Sequence, residues 1–486
     1  MASMDRLFDD AVAAFRKELI AAVEGMRESR SPQEFTDSER EVHRLSRRFA
    51  AKLTAEVMQA VSDDPSRRKE ALARVRERAG ARGIDLRVER KRKTPVRTLN
   101  GEVVEVVTPY ASARPRAGSK REKRGSQGTG VYPVLDQLGI SGRNTPALRL
   151  LVSRAVCEAN SVGSARELLS SAGVDIDHKG ALRLAYDICD DALRARRAAI
   201  RETTKGNADG AFVGRRVVAA VDGGRINIRK RVAGRPRKGG RKKFETEWRE
   251  PKILTLYVLD DNGRRDKSIA SVIDGTLGDA DAVFELLRYH LLRLGAHKAA
   301  ELVLIGDGAK WIWNRADSLR DGLGLEPDRF TQIVDYFHVV ERLGELSQTQ
   351  AALGEAHRLS WLHLQKRRLK AGNIEEIEGV VRMISKRKPD EMESEAEYWA
   401  RNRERLRYAA FRERGLPIGS GAVESSVRRV VNLRLKGASI TWTEEHAEGI
   451  LHLRAHAKSG RWTELEHTVL AVTGWRPTAR AAPRAA

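Results

Sequence analysis

The feature that most constrains the fold is a short apolar run ended by an aspartate, which occurs twice between residues 217 and 307. Residues 217–221 are continuously apolar and precede Asp222, and residues 302–305 lead through Gly306 to Asp307. Short continuous apolar runs of this kind indicate strands buried on both faces, as in parallel sheets. A helical pattern over 279–294 separates the two runs. The region therefore predicts an α/β arrangement.

The spacing of apolar residues predicts the other elements. Helices are expected over residues 5–80, with a break at Ser31-Pro32, and strands over 84–108 around Asn100-Gly101. A helical pattern is expected over residues 144–202, and within it residues 161–193 fit either a helix-turn-helix or a plain helical hairpin. Residues 111–130 are basic and rich in Gly and Ser, which is typical of a linker or a DNA-ordered arm. Further strands are expected over 226–232, 253–259, 268–273 and 331–336, helices over 340–413, and a helix after Pro417 that runs through Glu424 to residue 435.

Charge indicates the class of partner. Lys and Arg number 90 against 67 Asp and Glu, which gives a net charge of +23. This excess favours nucleic acid as the partner, since each phosphate that the chain neutralises releases counterions.

The two cysteines, Cys157 and Cys189, are too few for a four-cysteine zinc site and are expected as buried thiols in a reducing compartment. No secretion signal and no apolar run near the ~20 residues that cross a bilayer are seen, so a cytoplasmic protein is expected.

Three carboxylates occupy positions that suit metal binding. Asp222 and Asp307 each follow a predicted buried strand, and Glu424 lies in the first turns of a helix that follows Gly419-Ser420-Gly421. Carboxylates at the ends of parallel strands converge at one edge of a sheet, where α/β proteins place their sites. Hard cations such as Mg²⁺ take oxygen ligands, and two of them can assist both the attacking and the leaving oxygen.

Several other side chains are candidates for the same site. Asp335 and His338 lie where a strand meets a helix, as a helix cap with a satisfied histidine or as supports of the metal site. Arg428 either pairs with Glu424 one turn away or, with Arg429, holds a DNA phosphate. Lys310 is a further candidate for DNA contact, whereas Trp311 and Trp313 are more typical of core residues.

The segment 229–243 is too basic to fold on its own. Its centre, Gly234-Arg235-Pro236, with flanking cations suits phosphate and minor-groove contact. The candidate DNA-binding residues in this segment are Arg229, Lys230, Arg235, Arg237, Lys238, Arg241, Lys242 and Lys243.

At these residues the chain resembles insertion-sequence transposases of the ISKra type, which are related to the Mutator-like DDE superfamily. The phrases that carry the resemblance are VDGGRINIRK (221–230), IGDGAKWIWN (305–314), QIVDYFHVVERL (332–343), GSGAVESSVRRVVNLRLKG (419–437) and LRAHAKSGRW (453–462). The pair Asp335 and His338 resembles a Mutator-type signature. Relatives often carry a cysteine pair after the region 97–110, but residues 111–114 here have none, so no zinc ribbon is predicted.

The resemblance implies a ribonuclease-H-like catalytic domain and a metal-dependent transposase from a mobile element. It implies that Asp222 bridges two Mg²⁺ ions, with Asp307 and Glu424 each completing a site, and Mn²⁺ is expected to substitute. The enzyme would hydrolyse DNA at element ends and join the freed 3′-OH to target DNA, as a homodimer or larger synaptic assembly associated with a bacterial nucleoid.

The alternatives are a non-catalytic transposase-derived DNA-binding protein and a nuclease of the same fold without strand transfer. A small-molecule enzyme is least favoured, because no Walker loop, dinucleotide fingerprint or nucleophile elbow occurs.

Together these inferences predict a multidomain chain of mixed α+β and α/β class. The N-terminal helices are expected either to recognise DNA or to join subunits. The predicted regions are an N-terminal helical region (1–82), a small β region and basic linker (83–130), a helical region with a candidate helix-turn-helix (131–205), the first part of a ribonuclease-H-like catalytic domain (213–340), an all-helical insertion (341–414), the second part of the catalytic domain with the glutamate (415–465) and a C-terminal tail (466–486).

Overall fold

A computed structural model describes residues 4–81, 83–113, 130–232, 243–349, 354–387, 389–437 and 440–475. The chain divides into two compact units, Met1–Asp191 with Glu466–Ala486, and Ala192–Leu465. Helices and sheets both occur in the described residues, in agreement with the predicted mixed α and β class. Among the described helices, none has both the length and the apolar character needed to cross a bilayer.

The first unit begins with three helices and a β-hairpin. Ser31 caps the second helix by accepting a hydrogen bond from Glu34 N, so the predicted break at Ser31-Pro32 is confirmed. A second break, not predicted, occurs where the Asp64 side chain caps the helix that begins at Pro65. The elements of this part of the chain are α1 (Met4–Glu28), α2 (Pro32–Asp63), α3 (Pro65–Gly80), β1 (Leu86–Arg97), β2 (Val103–Ala113), α4 (Pro133–Gln137), α5 (Pro146–Glu158), α6 (Val162–Ser171) and α7 (His178–Glu202).

Two features of the first unit follow directly from its sequence. Strands β1 and β2 pair antiparallel around Gly101, whose φ of 80° suits a residue without a side chain. Helices α5, α6 and α7 share an apolar core that includes Leu148, Ala165 and Leu184. Both cysteines are buried thiols outside any disulfide, as predicted. Most of the basic linker predicted over 111–130 lies outside the described residues, although residues 111–113 belong to β2.

The second unit alternates strands and helices before it becomes helical. Its elements, with α17 at the C-terminal end of the described chain, are β3 (Arg216–Gly223), β4 (Ile226–Arg231), β5 (Phe244–Arg249), β6 (Lys252–Leu259), β7 (Val272–Thr276), α8 (Ala280–Arg293), β8 (Glu301–Gly306), α9 (Lys310–Leu323), β9 (Phe330–Val334), α10 (Tyr336–Gln348), α11 (Glu355–Ala371), α12 (Ile374–Arg387), α13 (Pro389–Asn402), α14 (Tyr408–Glu413), α15 (Gly421–Val427), a π-helix (Arg428–Asn432), α16 (Glu444–Lys458) and α17 (Trp462–Val472).

Five of these described strands form one mixed sheet in the order β7-β6-β3-β8-β9. The central strand, β3, pairs parallel with β8, and β8 pairs parallel with β9. On its other side β3 pairs antiparallel with β6, and β6 pairs antiparallel with β7. Residues 217–221 of β3 and 302–305 of β8 are fully buried, as continuous apolar runs in the middle of a sheet require.

The structure corrects three details of the sequence-based prediction. The strand expected over 268–273 is β7, which covers Val272–Thr276. The segment 229–243, predicted to be too basic to fold, begins as part of β4 and ends beside β5, a strand that was not predicted. Residues 466–472, assigned to the tail, are the second half of α17.

A buried ionic cluster holds β7 against helices of the same unit. Asp274, which is fully buried, accepts hydrogen bonds from Arg196 at 3.1 Å and lies 2.9 Å from His290 Nε2 and 3.1 Å from His452 Nδ1. Burial lowers the pKa of His290 to about 4, although Asp274 acts in the opposite direction. Burial likewise lowers the pKa of His452. Both imidazoles are therefore neutral in the folded chain at neutral pH.

We expect this cluster to make folding sensitive to mild acid. His290 titrates at about 4 when folded and near its ordinary value of 6.5 when unfolded. Between these values the unfolded chain binds a proton that the folded chain does not, so stability falls as pH decreases from 6.5 towards 4. His290→Gln, which keeps a donor towards Asp274, should weaken that dependence in urea unfolding curves. The exposed His43 of α2 provides the control His43→Gln, and equal slopes in both variants would contradict the assignment.

Candidate metal centre

The register of the three parallel strands brings three aspartates to one edge of the sheet. Val221 of β3 pairs with Gly306 of β8, and Gly306 pairs with Val334 of β9. The residues that follow are Asp222, Asp307 and Asp335, so the three side chains start at the same level of the sheet. This edge is the carboxyl end of all three strands, where ligand sites of α/β proteins form.

The carboxylate of Asp222 is partly buried at this edge and has a raised pKa. Its Oδ1 accepts a hydrogen bond from Gly223 N at 2.7 Å. Burial raises the pKa of Asp222 to about 6, the Gly223 N–H and His338 act against this, and the charges of Asp307 and Glu424 raise it further. Carboxylates influence each other in this way only at short range, so the three predicted metal ligands share one electrostatic environment.

Asp307 is positioned by the loop between β8 and α9. Its Oδ1 accepts a hydrogen bond from Ala309 N at 3.0 Å, and its carbonyl accepts one from Trp313 Nε1 at 2.9 Å. Trp313 is buried, which agrees with the expectation that it is a core residue. Gly308 has no room for a side chain, because a Cβ there would lie 1.9 Å from Tyr398 Cε2. Helix α13 therefore packs directly over the loop that holds Asp307.

Asp335 is fully engaged by hydrogen bonds and caps α10. Its Oδ1 accepts from Phe337 N at 2.6 Å and from His338 N at 3.4 Å, and its Oδ2 accepts from Ser420 N at 2.7 Å. Burial would raise the pKa of Asp335, but His338 and the donors of Ser420 and Phe337 lower it below the ordinary value. Asp335 therefore caps α10, and through Ser420 it also holds the segment before Glu424. Its position is compatible both with a helix cap and with a residue that supports the metal site.

Ser420 joins Asp335 to Glu424 and was not predicted as a site residue. Its hydroxyl bonds to Asp335 Oδ2 and lies 3.1 Å from Glu424 Oε1, so its one proton can be donated to either carboxylate. Its position four residues before the glutamate in GSGAVE was the only signal in the sequence. Helix α15, which carries Glu424, packs on β3 and β6, where Ser426 Oγ lies 2.9 Å from Thr255 Oγ1.

His338 supplies a positive charge among these carboxylates. Its Nδ1 lies 3.5 Å from Asp335 Oδ2. Asp335 is the main cause that raises the pKa of His338 to about 9; burial opposes it, and Asp222 and Asp307 add to it. Ligand atoms of Asp335, His338 and Glu424 lie within 4.8 Å of one another. Glu424 thus lies close to the predicted supporting pair as well as in the field of Asp222.

The predicted DNA-binding residues occupy different surroundings. Lys310 begins α9 and Arg428 begins the π-helix, and both are exposed. Among the described residues Arg428 forms no ion pair with Glu424. Arg429 donates to Ser425 O at 3.3 Å and to Lys458 O at 3.2 Å, so it helps to hold α16. The predicted contacts that lie outside the described residues are Arg235, Arg237, Lys238, Arg241 and Lys242.

Three residues of the basic segment remain on the described surface. Arg229, Lys230 and Lys243 are all exposed. Lys230 Nζ lies 2.6 Å from Glu247 Oε2, which reduces its availability for a phosphate.

Comparison of the chain with protein families, curated proteins and solved structures finds no match.

The ion pair between Asp335 and His338 can be tested without knowing the function. We expect Asp335→Asn to lower the pKa of His338 from about 9 towards the ordinary histidine value of 6.5, because the largest stabilising charge is removed. The measurement is an NMR titration of ¹³C-labelled histidines in metal-free protein, with His338→Gln to assign the signal. Glu341→Gln on α10 is a matched control that should leave the titration unchanged. A His338 signal that titrates near 9 in Asp335→Asn would contradict the assignment.

Proposed function

We propose that the chain is a DDE-type DNA transposase of the ISKra type that cuts element ends and joins them to target DNA. The observation that carries this proposal is the placement of Asp222 and Asp307 at one edge of the sheet, with Glu424 near enough to act on the pKa of Asp222. Among the described residues, the ligand atoms within 4.8 Å of one another are those of Asp335, His338 and Glu424, so Glu424 also lies beside the supporting pair. The two aspartates follow in-register parallel strands, and both Asp307 and Glu424 raise the pKa of Asp222. Paired acidic ligands at such an edge are the arrangement that metal-dependent phosphodiester chemistry requires.

The topology of the sheet supports a ribonuclease-H-like catalytic unit. Three antiparallel strands in the order β7-β6-β3 are extended by two parallel strands, β8 and β9, with β3 at the centre. The helical stretch α10 to α14 lies between β9 and the helix that carries Glu424. This order agrees with the helical insertion that the family resemblance implies.

The donor set suits two Mg²⁺ ions, for which Mn²⁺ is expected to substitute. Asp222, Asp307 and Glu424 offer hard carboxylate oxygens, whereas the oxygens of Asp335 are occupied by backbone and Ser420 donors. The raised pKa of Asp222 reflects burial and repulsion between carboxylates, both of which a divalent cation offsets. Asp222, Asp307 and Glu424 would hold these ions. Bound ions would supply Lewis-acid activation of water and of the leaving oxygen.

The residues around the carboxylates position the reacting groups. Asp335 and Ser420 fix the start of α15 and therefore the position of Glu424. Exposed cations at Lys310 and Arg428 begin the helical segments that follow Asp307 and Glu424 in the sequence, and they are suited to hold DNA phosphates. In the first step water attacks phosphorus and the 3′-oxygen leaves as a 3′-OH. In the second, that 3′-OH attacks a target phosphodiester and displaces another 3′-oxygen, so one P–O bond forms as one breaks and no external energy source is needed.

The expected partner is double-stranded DNA, both the element ends and the target. The net charge of +23 favours such a polyanion and is consistent with association with the nucleoid. Coordinated cutting of two ends requires a homodimer or a larger synaptic assembly.

The proposal is tested by cleavage and joining of labelled DNA taken from the flanks of the gene that encodes the chain. With Mg²⁺, wild type should yield nicked ends and joined products. Asp222→Ala, Asp307→Ala and Glu424→Ala should each lower the rate by about a hundredfold or more, because removal of one ligand disrupts charge stabilisation of the transition state. Asp321→Ala, an exposed acid on α9, is the matched control and should remain active.

The products distinguish the alternatives. Cleavage without joining would identify a nuclease without strand transfer. Tight DNA binding with no metal-dependent product in wild type or variants would identify a non-catalytic DNA-binding protein. Activity that survives Asp222→Ala would remove Asp222 from the catalytic centre.

The oligomeric state provides a separate prediction. We expect light scattering coupled to size-exclusion chromatography to give the mass of at least two chains on paired end DNA. A chain that remains monomeric both free and on end DNA would contradict the synaptic assembly, while the cleavage result would stand by itself.

A further inference from the structure

The hairpin formed by β4 and β5 separates its side chains into two chemically different faces. Opposite residues of antiparallel strands lie on the same face, and residues alternate between faces along each strand. The face that contains the buried Ile226 and Ile228 also contains Glu245 and Glu247. The other face, called here the aromatic–basic face, contains Arg231 opposite Phe244, Arg229 opposite Thr246 and Asn227 opposite Trp248.

The aromatic–basic face is exposed although it carries two large aromatic rings. Phe244 is 48% exposed and Trp248 is 52% exposed. Large aromatic side chains in a folded chain usually bury most of their surface, so two on one face of a hairpin indicate a binding surface. Arg225 Cζ lies 4.9 Å from the centre of the Trp248 ring. The rings are therefore surrounded by cations.

The charge of this face is not compensated within the described residues. The acids of the hairpin, Glu245 and Glu247, lie on the opposite face, where Glu247 pairs with Lys230 and Arg249. Among the described residues Arg225, Arg229 and Arg231 have no carboxylate partner. The adjoining sequence, residues 233–242, contains Arg235, Arg237, Lys238, Arg241 and Lys242 and no acid. A partner of this face must therefore be anionic and also offer flat rings.

The hairpin is directly joined to the candidate metal centre. Only Gly223, Gly224 and Arg225 separate Asp222 from β4, and Ile253 of β6 pairs with Asp222 shortly after β5 ends. Five residues of extended chain span at most about 18 Å, so Asn227 lies within that distance of Asp222, and Trp248 is the cross-strand neighbour of Asn227. A DNA strand held at the metal centre could extend over the face within a few nucleotides.

We propose that the aromatic–basic face binds unpaired nucleotides of a DNA strand, with bases stacked on Trp248 and Phe244 and phosphates held by Arg225, Arg229 and Arg231. Stacked bases on aromatic rings with cations between them are how proteins hold single strands. A duplex encloses its base faces and offers phosphates and groove edges, which need cations but no exposed rings. The assignment of this face to the strand next to the cleavage site rests on the proposed transposase function, whereas its preference for a single strand does not.

The preference is measured with the full chain and two probes in the presence of EDTA, so that no cleavage interferes. The probes are a fluorescein-labelled oligodeoxynucleotide that cannot pair with itself and the same strand annealed to its complement. Trp248→Ala should raise the single-strand Kd about tenfold or more, because stacking of one base has that value, and change the duplex Kd by less than about twofold. Trp248→Phe keeps a ring and should stay within about threefold of wild type.

The control for lost apolar surface is Phe35→Ala on α2, where a ring of similar exposure, 47%, is removed. It should leave both Kd values unchanged, and thermal unfolding should show that all variants are folded. A 2-aminopurine base in the single strand reports stacking directly, and its fluorescence should be quenched by wild type and not by Trp248→Ala.

Every outcome bears on the proposal. Unchanged single-strand binding by Trp248→Ala, or an equal loss on single strand and duplex, would overturn it. If the expected loss is found while the cleavage assay fails, the face is a single-strand site on a protein that is not a transposase. If cleavage depends on Asp222 while Trp248→Ala leaves the single-strand Kd unchanged, the transposase assignment stands and this inference fails.

Discussion

The parallel hydrogen bonding of β3, β8 and β9 is the constraint on which the candidate site depends. Because Val221, Gly306 and Val334 are in register, Asp222, Asp307 and Asp335 start at one level of one edge. A slip of any one strand by one position would remove its aspartate from this level of the edge, since neighbouring side chains along a strand lie on opposite faces. The three acids nevertheless differ, because the surroundings of each decide its chemistry. Asp222 is poorly compensated and has a raised pKa, whereas Asp335 is enclosed by donors and has a lowered one.

A second constraint follows from the distance in sequence between the aspartates and Glu424. The helices α10 to α14 separate β9 from α15, but both ends of this stretch are fixed to each other. Tyr336 N donates to Ile418 O at 2.9 Å, and Asp335 accepts from Ser420 N at 2.7 Å. The entropy of loop closure grows only slowly with length, so a long insertion is tolerated when its ends are held in this way. The insertion also contributes to the site, because Tyr398 of α13 packs against Gly308 beside Asp307.

The sequence predicted the elements whose signal is local. Buried parallel strands are continuously apolar, so β3 and β8 and the aspartates that follow them could be recognised, and the caps at Ser31 and Asp279 marked helix starts. Strand β5 was missed because its exposed aromatic residues, Phe244 and Trp248, alternate with charged residues and the strand directly follows a highly basic segment. The role of Ser420 was missed for a different reason. Its partners, Asp335 and Glu424, are brought to it by tertiary packing, and the raised pKa of His338 likewise depends on carboxylates from other elements.

The distribution of charge explains how an acidic site can function on a strongly basic chain. Carboxylates concentrated at one edge of the sheet repel a DNA phosphate as well as each other. Within the site, the charge of His338 offsets part of the repulsion between the acids. Around it, exposed cations at Lys310 and Arg428 begin helical segments next to the acidic ligands in sequence. The hairpin contributes as well, because its acids lie on the face with the buried isoleucines, whereas Arg229 and Arg231 lie on the other face and have no carboxylate partner in the part of the chain that the structure describes. If the chain binds DNA as proposed, these exposed cations and the aromatic rings of the hairpin offset the repulsion that the carboxylates exert on a phosphate.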